Sequence, residues 1–329
     1  MSNIINRINL LTSFLFQKTT TSGLPVEIGI ELTNQCNLSC IMCPHPEMVK
    51  KKIRPLGFMS EPLFKKIIDE VVPFAELVYL HGLGESFIHP KVFDFIRYAK
   101  SRGIAVGIST NATLLDKKGA KKLIESGIDY VILAIDGATK NTYEAIRKGA
   151  NFEQVEKNIK TFLKLKKNRS KSPFTVLQFI TMPENEKEMR LFTQKWSQMG
   201  ADAIRIKPKI ALKFSDKKRN LTKKPYCFHI FRQLNITWDG LVMACCEDVF
   251  ASFPLGNVKK EKIKDLWNNK KMQLLRKINF KRQQDKVNIC KNCSYPQPTR
   301  LQALGALIFN HLTVKKMLPY LEKYFSLSL

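Results

Sequence analysis

Three cysteines lie close together in the chain, and their spacing indicates an iron–sulfur site. Cys36, Cys40 and Cys43 follow the strand-like run of residues 27–32 in a C-x3-C-x2-C pattern. Three thiolates can hold three corners of a cubane iron–sulfur cluster and leave the fourth iron open. An open iron suits a small molecule that brings its own ligands, by the logic that separates catalytic metal sites from closed structural ones.

The same cysteines could instead bind zinc or lie unligated in the core, since free cysteine is often buried as a small apolar residue. Zinc knuckles usually group cysteines as two C-x2-C pairs or add histidines at helical spacing. His45 is near enough in the sequence to be a fourth ligand. The number of ligands therefore leaves zinc open, and the choice depends on the segments that follow this loop.

The composition is that of a globular protein in a reducing compartment. The chain has 329 residues, 44% of them hydrophobic, which is enough for one large domain and a smaller one. It contains no run of about 18 apolar residues, as a membrane span requires, and no signal-peptide cleavage site. We therefore expect a cytoplasmic protein whose eight cysteines are metal or redox ligands rather than disulfides.

The chain is strongly basic, with 55 Lys and Arg against 28 Asp and Glu and a net charge of +27. Such a charge favours anionic partners, including phosphorylated or nucleotide-linked substrates, a lipid surface or nucleic acid. A solvated lysine-rich surface explains the charge equally well. Because no RNA-recognition signature interleaves the basic clusters with aromatic residues, nucleic-acid binding is not favoured.

The cysteine loop must be positioned by the elements around it, and the chain alternates strand and helix patterns from residue 27 onward. Such alternation indicates parallel strands joined by crossover helices, here an α/β partial (β/α)6 barrel. Loops after the strands are where such a barrel places its chemistry. We predict strands near 27–33, 76–81, 104–109, 130–135, 174–181 and 203–207, and helices near 61–72, 91–102, 117–126, 140–147, 152–167 and 186–199.

The alternation stops after Pro208, and both ends of the chain have an amphipathic pattern. Near the start, Ile4, Ile8, Leu11 and Leu15 fall on one helical face. We expect these terminal helices to cap the barrel, and peripheral membrane contact is the alternative. We predict an N-terminal segment over 1–26, the barrel over 27–212, a small cysteine-rich domain over 213–298 and a C-terminal helix over 299–329.

The run IELTNQCNLSCIMCPHPEM resembles the signature of the radical S-adenosylmethionine (radical SAM) enzymes. The resemblance implies a [4Fe–4S] cluster on the three cysteines, whose open iron takes the amino and carboxylate groups of S-adenosyl-L-methionine (SAM). Downstream, the run HGLGE resembles the family's glycine–glycine–glutamate segment. It implies that Gly82 and Gly84 let the backbone approach the methionyl end of SAM and that Glu85 receives its ammonium.

Four further candidate SAM contacts follow from the same resemblance. The run STNAT is similar to a family strand end at which Ser109 and Asn111 would bind SAM by hydrogen bonds, with Ala112 in place of the usual glycine. Met42 stands where many members have an aromatic residue against adenine, and methionine is a flexible, polarisable substitute. Arg147 could pair with a carboxylate or phosphate of SAM or substrate, since a guanidinium suits planar anions. A surface salt bridge is the alternative for Arg147.

The last third of the chain holds a second set of cysteines, and its layout resembles the shortened SPASM or twitch domain with one auxiliary [4Fe–4S] cluster. The spacing is similar to that of the 2-deoxy-scyllo-inosamine dehydrogenases and implies four ligands, Cys227, Cys245, Cys290 and Cys293. A zinc ribbon is the structural alternative. Cys246 is left over, and it could replace Cys245 as a ligand, be an inert buried thiol, or donate a hydrogen atom to a substrate radical as the catalytic residue.

The resemblance implies an oxidoreductase or epimerase that generates a 5′-deoxyadenosyl radical. Because only about 26 residues precede the first strand, without room for a leader-binding domain, we expect a carbohydrate or aminocyclitol-like substrate that is epimerised or dehydrogenated. Lys207, Lys209 and Arg205 could contact an anionic or sugar-linked group. A flavodoxin- or ferredoxin-like reductant is the expected electron source. The alternatives are a SPASM-type peptide maturase and a non-catalytic, zinc-stabilised nucleic-acid-binding protein.

Overall fold

Six parallel strands and their crossover helices form the N-terminal half of the protein, as predicted. The computed structural model describes residues 3–167, 169, 172–209, 226–291 and 293. The strands are β1 Glu27–Ile30, β2 Leu77–Leu80, β3 Ala105–Thr110, β4 Tyr130–Ala134, β5 Phe174–Thr181 and β6 Ala203–Pro208. Each pairs in parallel with the next along the chain, which is the arrangement of a partial (β/α)6 barrel.

The described part of this half contains eight α-helices. They are α1 Asn3–Leu15, α2 His45–Lys50, α3 Glu61–Val71, α4 Val92–Ser101, α5 Lys117–Glu125, α6 Lys140–Ile146, α7 Phe152–Lys167 and α8 Met189–Ser197. Polar residues begin several of them: the Asp116 carboxylate accepts from the Gly119 N–H at the start of α5, and Thr139 caps α6. The apolar faces of these helices pack on the strands in one large core.

The C-terminal half continues the same sheet. Its strands are β7 Gln233–Ile236, β8 Leu241–Met243 and β9 Pro254–Asn257, followed by α9 Ile263–Trp267, α10 Lys270–Phe280 and α11 Asn288–Lys291. β7 pairs in parallel with β1, and β8 and β9 follow in antiparallel order. Within the described residues the strand order is β6-β5-β4-β3-β2-β1-β7-β8-β9. The first strand of the barrel is therefore an inner strand of the complete sheet.

The N-terminal helix caps the end of the barrel at which the strands begin, but with a different face from the predicted one. Leu10 and Phe14 are buried, whereas Ile4 and Ile8 are 70% and 51% exposed. Asn6 is also buried, because its amide donates to the carbonyls of Leu24 and Phe74. The prediction of the buried face was wrong because polar residues with distant partners are docked in place of the isoleucines.

Two predicted segments lie outside the described residues. These are the C-terminal amphipathic helix over 299–329 and the boundary near residue 213 between the barrel and the cysteine-rich domain. Among the helices that are described, none is long and apolar enough to cross a bilayer.

Candidate active site

The cysteine loop follows β1 and is fixed by backbone hydrogen bonds to the segment after α6. The Ser39 N–H donates to the Lys148 carbonyl, and the Ile41 N–H donates to the Ile146 carbonyl, each at 2.9 Å. The His45 Nε2 lies 2.9 Å from the Asn34 carbonyl. That contact occupies one ring nitrogen of His45 with the backbone, so the histidine helps to hold the loop and is a poor candidate for a fourth metal ligand.

The three thiols of this loop lie near one another in a weakly polar environment. Cys40 is buried among Met42, Ile146 and Met182, and Cys36 and Cys43 pack against the same cluster. Burial raises the pKa of the Cys36 thiol to about 12, and the neighbouring Glu85, Cys40 and Cys43 act in the same direction. Iron bound to the thiolates would remove the cost of ionising them. The donors therefore fit the iron–sulfur cluster that the sequence predicts.

The zinc alternative makes a different demand, namely that the ligands converge on one ion. Within the described ranges, no three His, Cys, Asp or Glu side chains are arranged to hold a single metal ion. The loop is thus a group of neighbouring thiols rather than a preformed mononuclear site.

The glycine-rich loop after β2 lies directly against the cysteine loop. A Cβ on Gly84 would lie 2.4 Å from the Thr33 carbonyl oxygen and 2.5 Å from that of Gln35, so only glycine allows this approach. The Glu85 N–H donates to the Gln35 carbonyl at 2.8 Å. A Cβ on Gly82 would lie 2.6 Å from side-chain atoms of Glu31. The two glycines are therefore needed for the loops to pack, as well as for any ligand between them.

The Glu85 carboxylate connects this loop to the end of β3. One oxygen accepts from the Thr110 hydroxyl at 2.9 Å and from the Phe87 N–H at 3.1 Å. The other oxygen accepts from the Asn111 N–H at 2.8 Å. Burial raises the pKa of Glu85, although these donors oppose the shift. In this structure Glu85 is fully engaged with the protein, and its contact with the SAM ammonium stays a prediction.

The end of β3 carries the predicted Ser109 and Asn111 beside the cysteine loop. The Asn111 amide donates to the Asn37 side chain at 3.1 Å, which joins the two loops. Ser109 lies on the strand and is partly exposed. Ala112 has φ of 60°, the left-handed region that glycine adopts without strain. The departure from the family's glycine therefore occurs at the position where glycine would be favoured.

Arg147 is a buried ion-paired residue rather than the surface salt bridge named as its alternative. Its guanidinium lies 2.6 Å from the Asp136 carboxylate, and Asp136 is completely buried. The Arg147 charge also acts on the Cys40 thiol, where it opposes the pKa rise that burial causes. Arg147 is thus held by Asp136 beside a predicted cluster ligand, and its pairing with SAM or substrate stays a prediction.

The second cysteine set gathers beside the end of α10 in the C-terminal half. Burial raises the pKa of the Cys227 thiol to about 12, and Cys290 and Cys293 lie near enough to add to that shift. Cys227 also contributes to the raised pKa of Cys245. The backbone of Cys227 exchanges two hydrogen bonds with the Asn279 side chain, of 2.7 and 3.1 Å. The other three predicted auxiliary ligands, Cys245, Cys290 and Cys293, therefore all lie near Cys227.

Cys246 lines a small cavity of about 60 Å³ between the barrel and the C-terminal strands, although its thiol also contacts that of Cys245. His81, Asn235 and Met243 line the same cavity, which we call the seam cavity. Burial, with the charges of Lys207 and Arg205, lowers the pKa of His81 to about 4. The imidazole is therefore neutral at physiological pH.

The sequence did not single out two of these residues. Asp136 follows β4 closely, and this place, where polar residues of a barrel gather, was the signal available. Asn235 is a polar residue on the inward face of β7, but no local pattern in the chain indicates that β7 joins the barrel strands.

Comparison with known proteins follows the same division of the chain. A model of the radical SAM superfamily matches residues 30–194, and a model of the SPASM iron–sulfur cluster-binding domain matches residues 227–294. A cofactor-modifying protein for the tungsten-containing aldehyde ferredoxin oxidoreductase of Pyrococcus furiosus is 27% identical over 300 residues, covering 76% of this chain and 82% of that protein. Mycofactocin maturase MftC of Mycobacterium tuberculosis is 30% identical over 129 residues, covering 39% of this chain and 32% of that protein.

Two solved structures share the fold. SuiB of Streptococcus suis, bound to its precursor peptide SuiA, has a TM-score of 0.65 at 13% identity, covering 86% of this chain and 72% of that one. BtrN in complex with AdoMet and 2-DOIA has a TM-score of 0.55 at 20% identity, and the match covers 83% of this chain and 94% of that one. The predicted partial barrel followed by a SPASM domain is confirmed. The matched domains imply SAM and iron–sulfur clusters as cofactors.

Proposed function

This chain belongs to the radical SAM superfamily, and we propose that it is a maturase that modifies a peptide or a cofactor precursor. The observation that carries the proposal is the presence of two groups of neighbouring thiols, one on the loop after β1 within the matched radical SAM domain and one within the matched SPASM domain. The class of substrate is inferred from the relatives, which include a cofactor-modifying protein and a maturase.

The relatives favour the maturase over the carbohydrate epimerase or dehydrogenase that we expected from the sequence. The expectation depended on the short N-terminal segment, which is a weak guide to the substrate. The likeness to BtrN, at 20% identity, concerns the fold alone. The family match also favours an enzyme over a zinc-stabilised nucleic-acid-binding protein, since both sets of cysteines lie within the matched domains.

The residues of the chain have separate roles in this proposal. Cys36, Cys40 and Cys43 hold the first cluster, and Cys227, Cys245, Cys290 and Cys293 hold the second. When bound, the first cluster and SAM supply the one-electron cleavage of a carbon–sulfur bond that yields a hydrogen-abstracting radical. Glu85 and Asn111 fix the loops around SAM. The SAM site is lined by Gly82, Gly84 and Ser109, and Met42 forms an apolar wall for adenine. The electron comes from an external flavodoxin- or ferredoxin-like protein.

Cys246 is not needed as a ligand in this assignment, and its thiol borders the seam cavity. We therefore keep Cys246 as the candidate hydrogen donor to a substrate radical. In heavy water a maturation that uses this donor puts deuterium into the product, and Cys246→Ala removes that label while 5′-deoxyadenosine still forms. Deuterium incorporation that survives Cys246→Ala contradicts the role.

The proposed function is tested first without a substrate. Anaerobically reconstituted protein should bind about eight irons per chain and form 5′-deoxyadenosine from SAM and dithionite. Cys36→Ala should abolish that product and halve the iron, whereas Cys227→Ala should halve the iron and leave the product. Colourless, zinc-containing protein that forms no 5′-deoxyadenosine contradicts the enzyme.

The class of substrate is tested with an extract of source cells grown in heavy water. Hydrogen abstraction transfers deuterium from the substrate to 5′-deoxyadenosine, which mass spectrometry detects. A maturase of peptides should lose this signal when the extract is treated with protease, and a cofactor precursor should give a protease-resistant signal that periodate leaves intact. A protease-resistant signal that periodate destroys supports a carbohydrate and contradicts the maturase.

A further inference from the structure

Two polar side chains that line the seam cavity have no hydrogen-bond partner among the described residues, whereas the third, Glu31, is neutralised by its ion pair with Arg54. The Asn235 Nδ2 is buried and has no hydrogen-bond partner. Among the described residues the His81 ring also makes no hydrogen bond, and it packs against the Tyr79 ring in a T-shaped arrangement. An unpaired buried donor costs free energy comparable to a lost hydrogen bond. Such donors at a cavity therefore indicate a ligand that supplies acceptors.

The charge around the cavity selects the kind of acceptor. The Lys207 ammonium lies near enough to His81 to contribute to its lowered pKa, and also near Cys246. Lys207 makes no ion pair within the described part of the chain. Burial and the Arg205 charge lower the pKa of Lys207, whereas Glu247, which contacts the Cys246 thiol, opposes that shift. Glu247 therefore acts on Lys207 as a countercharge without forming an ion pair with it among the described residues, and an anionic ligand would add a directly bound one.

We propose that the seam cavity, lined by His81, Asn235 and Cys246 beside Lys207, binds a carboxylate group of the substrate. The Asn235 amide and the His81 imidazole donate hydrogen bonds to the carboxylate, and Lys207 supplies the countercharge. That this carboxylate belongs to a substrate rests on the proposed function. A carboxylate is common in peptides and cofactor precursors and absent from neutral sugars. SAM also carries a carboxylate, and Gly82 lines both this cavity and the proposed SAM site, but the SAM carboxylate is assigned to the open iron of the first cluster.

Cys246 offers a direct probe of the subsite, because in the reconstituted protein it is the cysteine without an assigned cluster. Iodoacetate and iodoacetamide alkylate a thiol by the same displacement of iodide and differ chiefly in that iodoacetate carries a carboxylate. The ratio of their rates therefore cancels the intrinsic reactivity of the thiol. We would measure this ratio at Cys246 by peptide mass spectrometry in anaerobic holoenzyme and normalise it to the same ratio for glutathione.

The subsite should raise the normalised ratio by about tenfold, as expected for a charge-assisted hydrogen-bonded site. Lys207→Gln should remove the preference and Lys207→Arg should keep it. Lys264→Gln is the matched control, since Lys264 is exposed and lines a different cavity, and it should leave the ratio unchanged. If Lys207→Gln loses its iron, Asn235→Ala tests the same subsite and should lower the ratio severalfold.

A wild-type ratio equal to that of glutathione, a ratio that neither Lys207→Gln nor Asn235→Ala alters, or a Cys246 that neither reagent labels would each overturn the subsite. The measurement does not require SAM cleavage. A preference for iodoacetate in protein that forms no 5′-deoxyadenosine would therefore contradict the proposed function and leave the carboxylate subsite supported. Formation of 5′-deoxyadenosine without a preference for iodoacetate would contradict only the subsite.

Discussion

His81 illustrates at the scale of a single residue how the fold changes a side chain's chemistry. It follows β2 at the inner face of the barrel, where burial and the charges of Lys207 and Arg205 lower the pKa from 6.5 to about 4. Because folding lowers this pKa, the unfolded chain takes up the proton first as the pH falls. The contribution of neutral His81 to stability is therefore complete above pH 6.5 and is lost as the pH falls towards 4.

This behaviour gives a pH prediction. Between pH 7 and pH 5 the free energy of unfolding should fall by about 2 kcal/mol on account of His81, and His81→Asn should remove that part of the fall. Urea unfolding of anaerobic protein at the two pH values measures it. His229 has a similarly low pKa of about 4, so His229→Asn should reduce the fall by a comparable amount. An unchanged fall in His81→Asn would contradict the assignment.

The sequence predicted which residue types would gather in the candidate active site, but it did not predict which side chains would pair with one another. The cysteine spacing indicated the loop around Cys40, and the family resemblance indicated Arg147. That Asp136 would be the partner of Arg147 did not follow, because an ion pair depends on side-chain directions that a motif does not contain. Similarly, the sequence implied Cys245 as a ligand and left Cys246 over as its possible replacement. In the structure Cys227 lies near Cys245, and Cys246 lines the seam cavity.

At the scale of elements, two loops must approach more closely than side chains normally permit. Gly84→Ala should separate the glycine-rich loop from the cysteine loop, because the new Cβ would lie 2.4 and 2.5 Å from backbone oxygens. Backbone atoms cannot move aside as a flexible side chain does, and we expect a loss of about 1–3 kcal/mol. SAM should bind at least about tenfold more weakly in equilibrium dialysis.

Gly119→Ala is the control for this change. Its Cβ would meet its nearest neighbour at 3.2 Å within α5, where alanine is a better helix former than glycine. That variant should bind SAM as the wild type does. Equal SAM binding by the Gly84 and Gly119 variants would mean that the loop contact does not shape the site.

The elements were largely predictable, and the faces they bury were less so. The alternation of strand and helix patterns predicted all six barrel strands, since each pattern is local. The packing of α1 was not predicted, because Asn6 reaches carbonyls 18 and 68 residues further along the chain. A hydrophobic pattern cannot anticipate that a buried polar residue will find such partners.

At the scale of the whole molecule, the barrel and the SPASM domain share one sheet. β1 lies between β2 and β7, and Arg232 pairs with Glu27 across this seam. The Trp267 indole donates to the Gly23 carbonyl at 2.8 Å, and the Arg54 guanidinium, which pairs with Glu31, also donates to the Val249 carbonyl at 3.0 Å. The sequence suggested two domains because the βα alternation ends at residue 208, but pairing between distant strands leaves no local signal.

The shared sheet predicts that the two halves remain associated after the connection between them is cut. With a protease site inserted between residues 209 and 226, the cleaved fragments should elute together in gel filtration and separate only in denaturant, because an unpaired β1 edge would otherwise be exposed. Gly29→Val should weaken the association, since a Cβ on Gly29 would lie 2.3 Å from the Asn235 side chain across the seam. If the wild-type fragments separate in buffer while each remains folded, pairing of β1 with β7 does not hold the two halves together. The seam cavity would then not be a fixed part of the site.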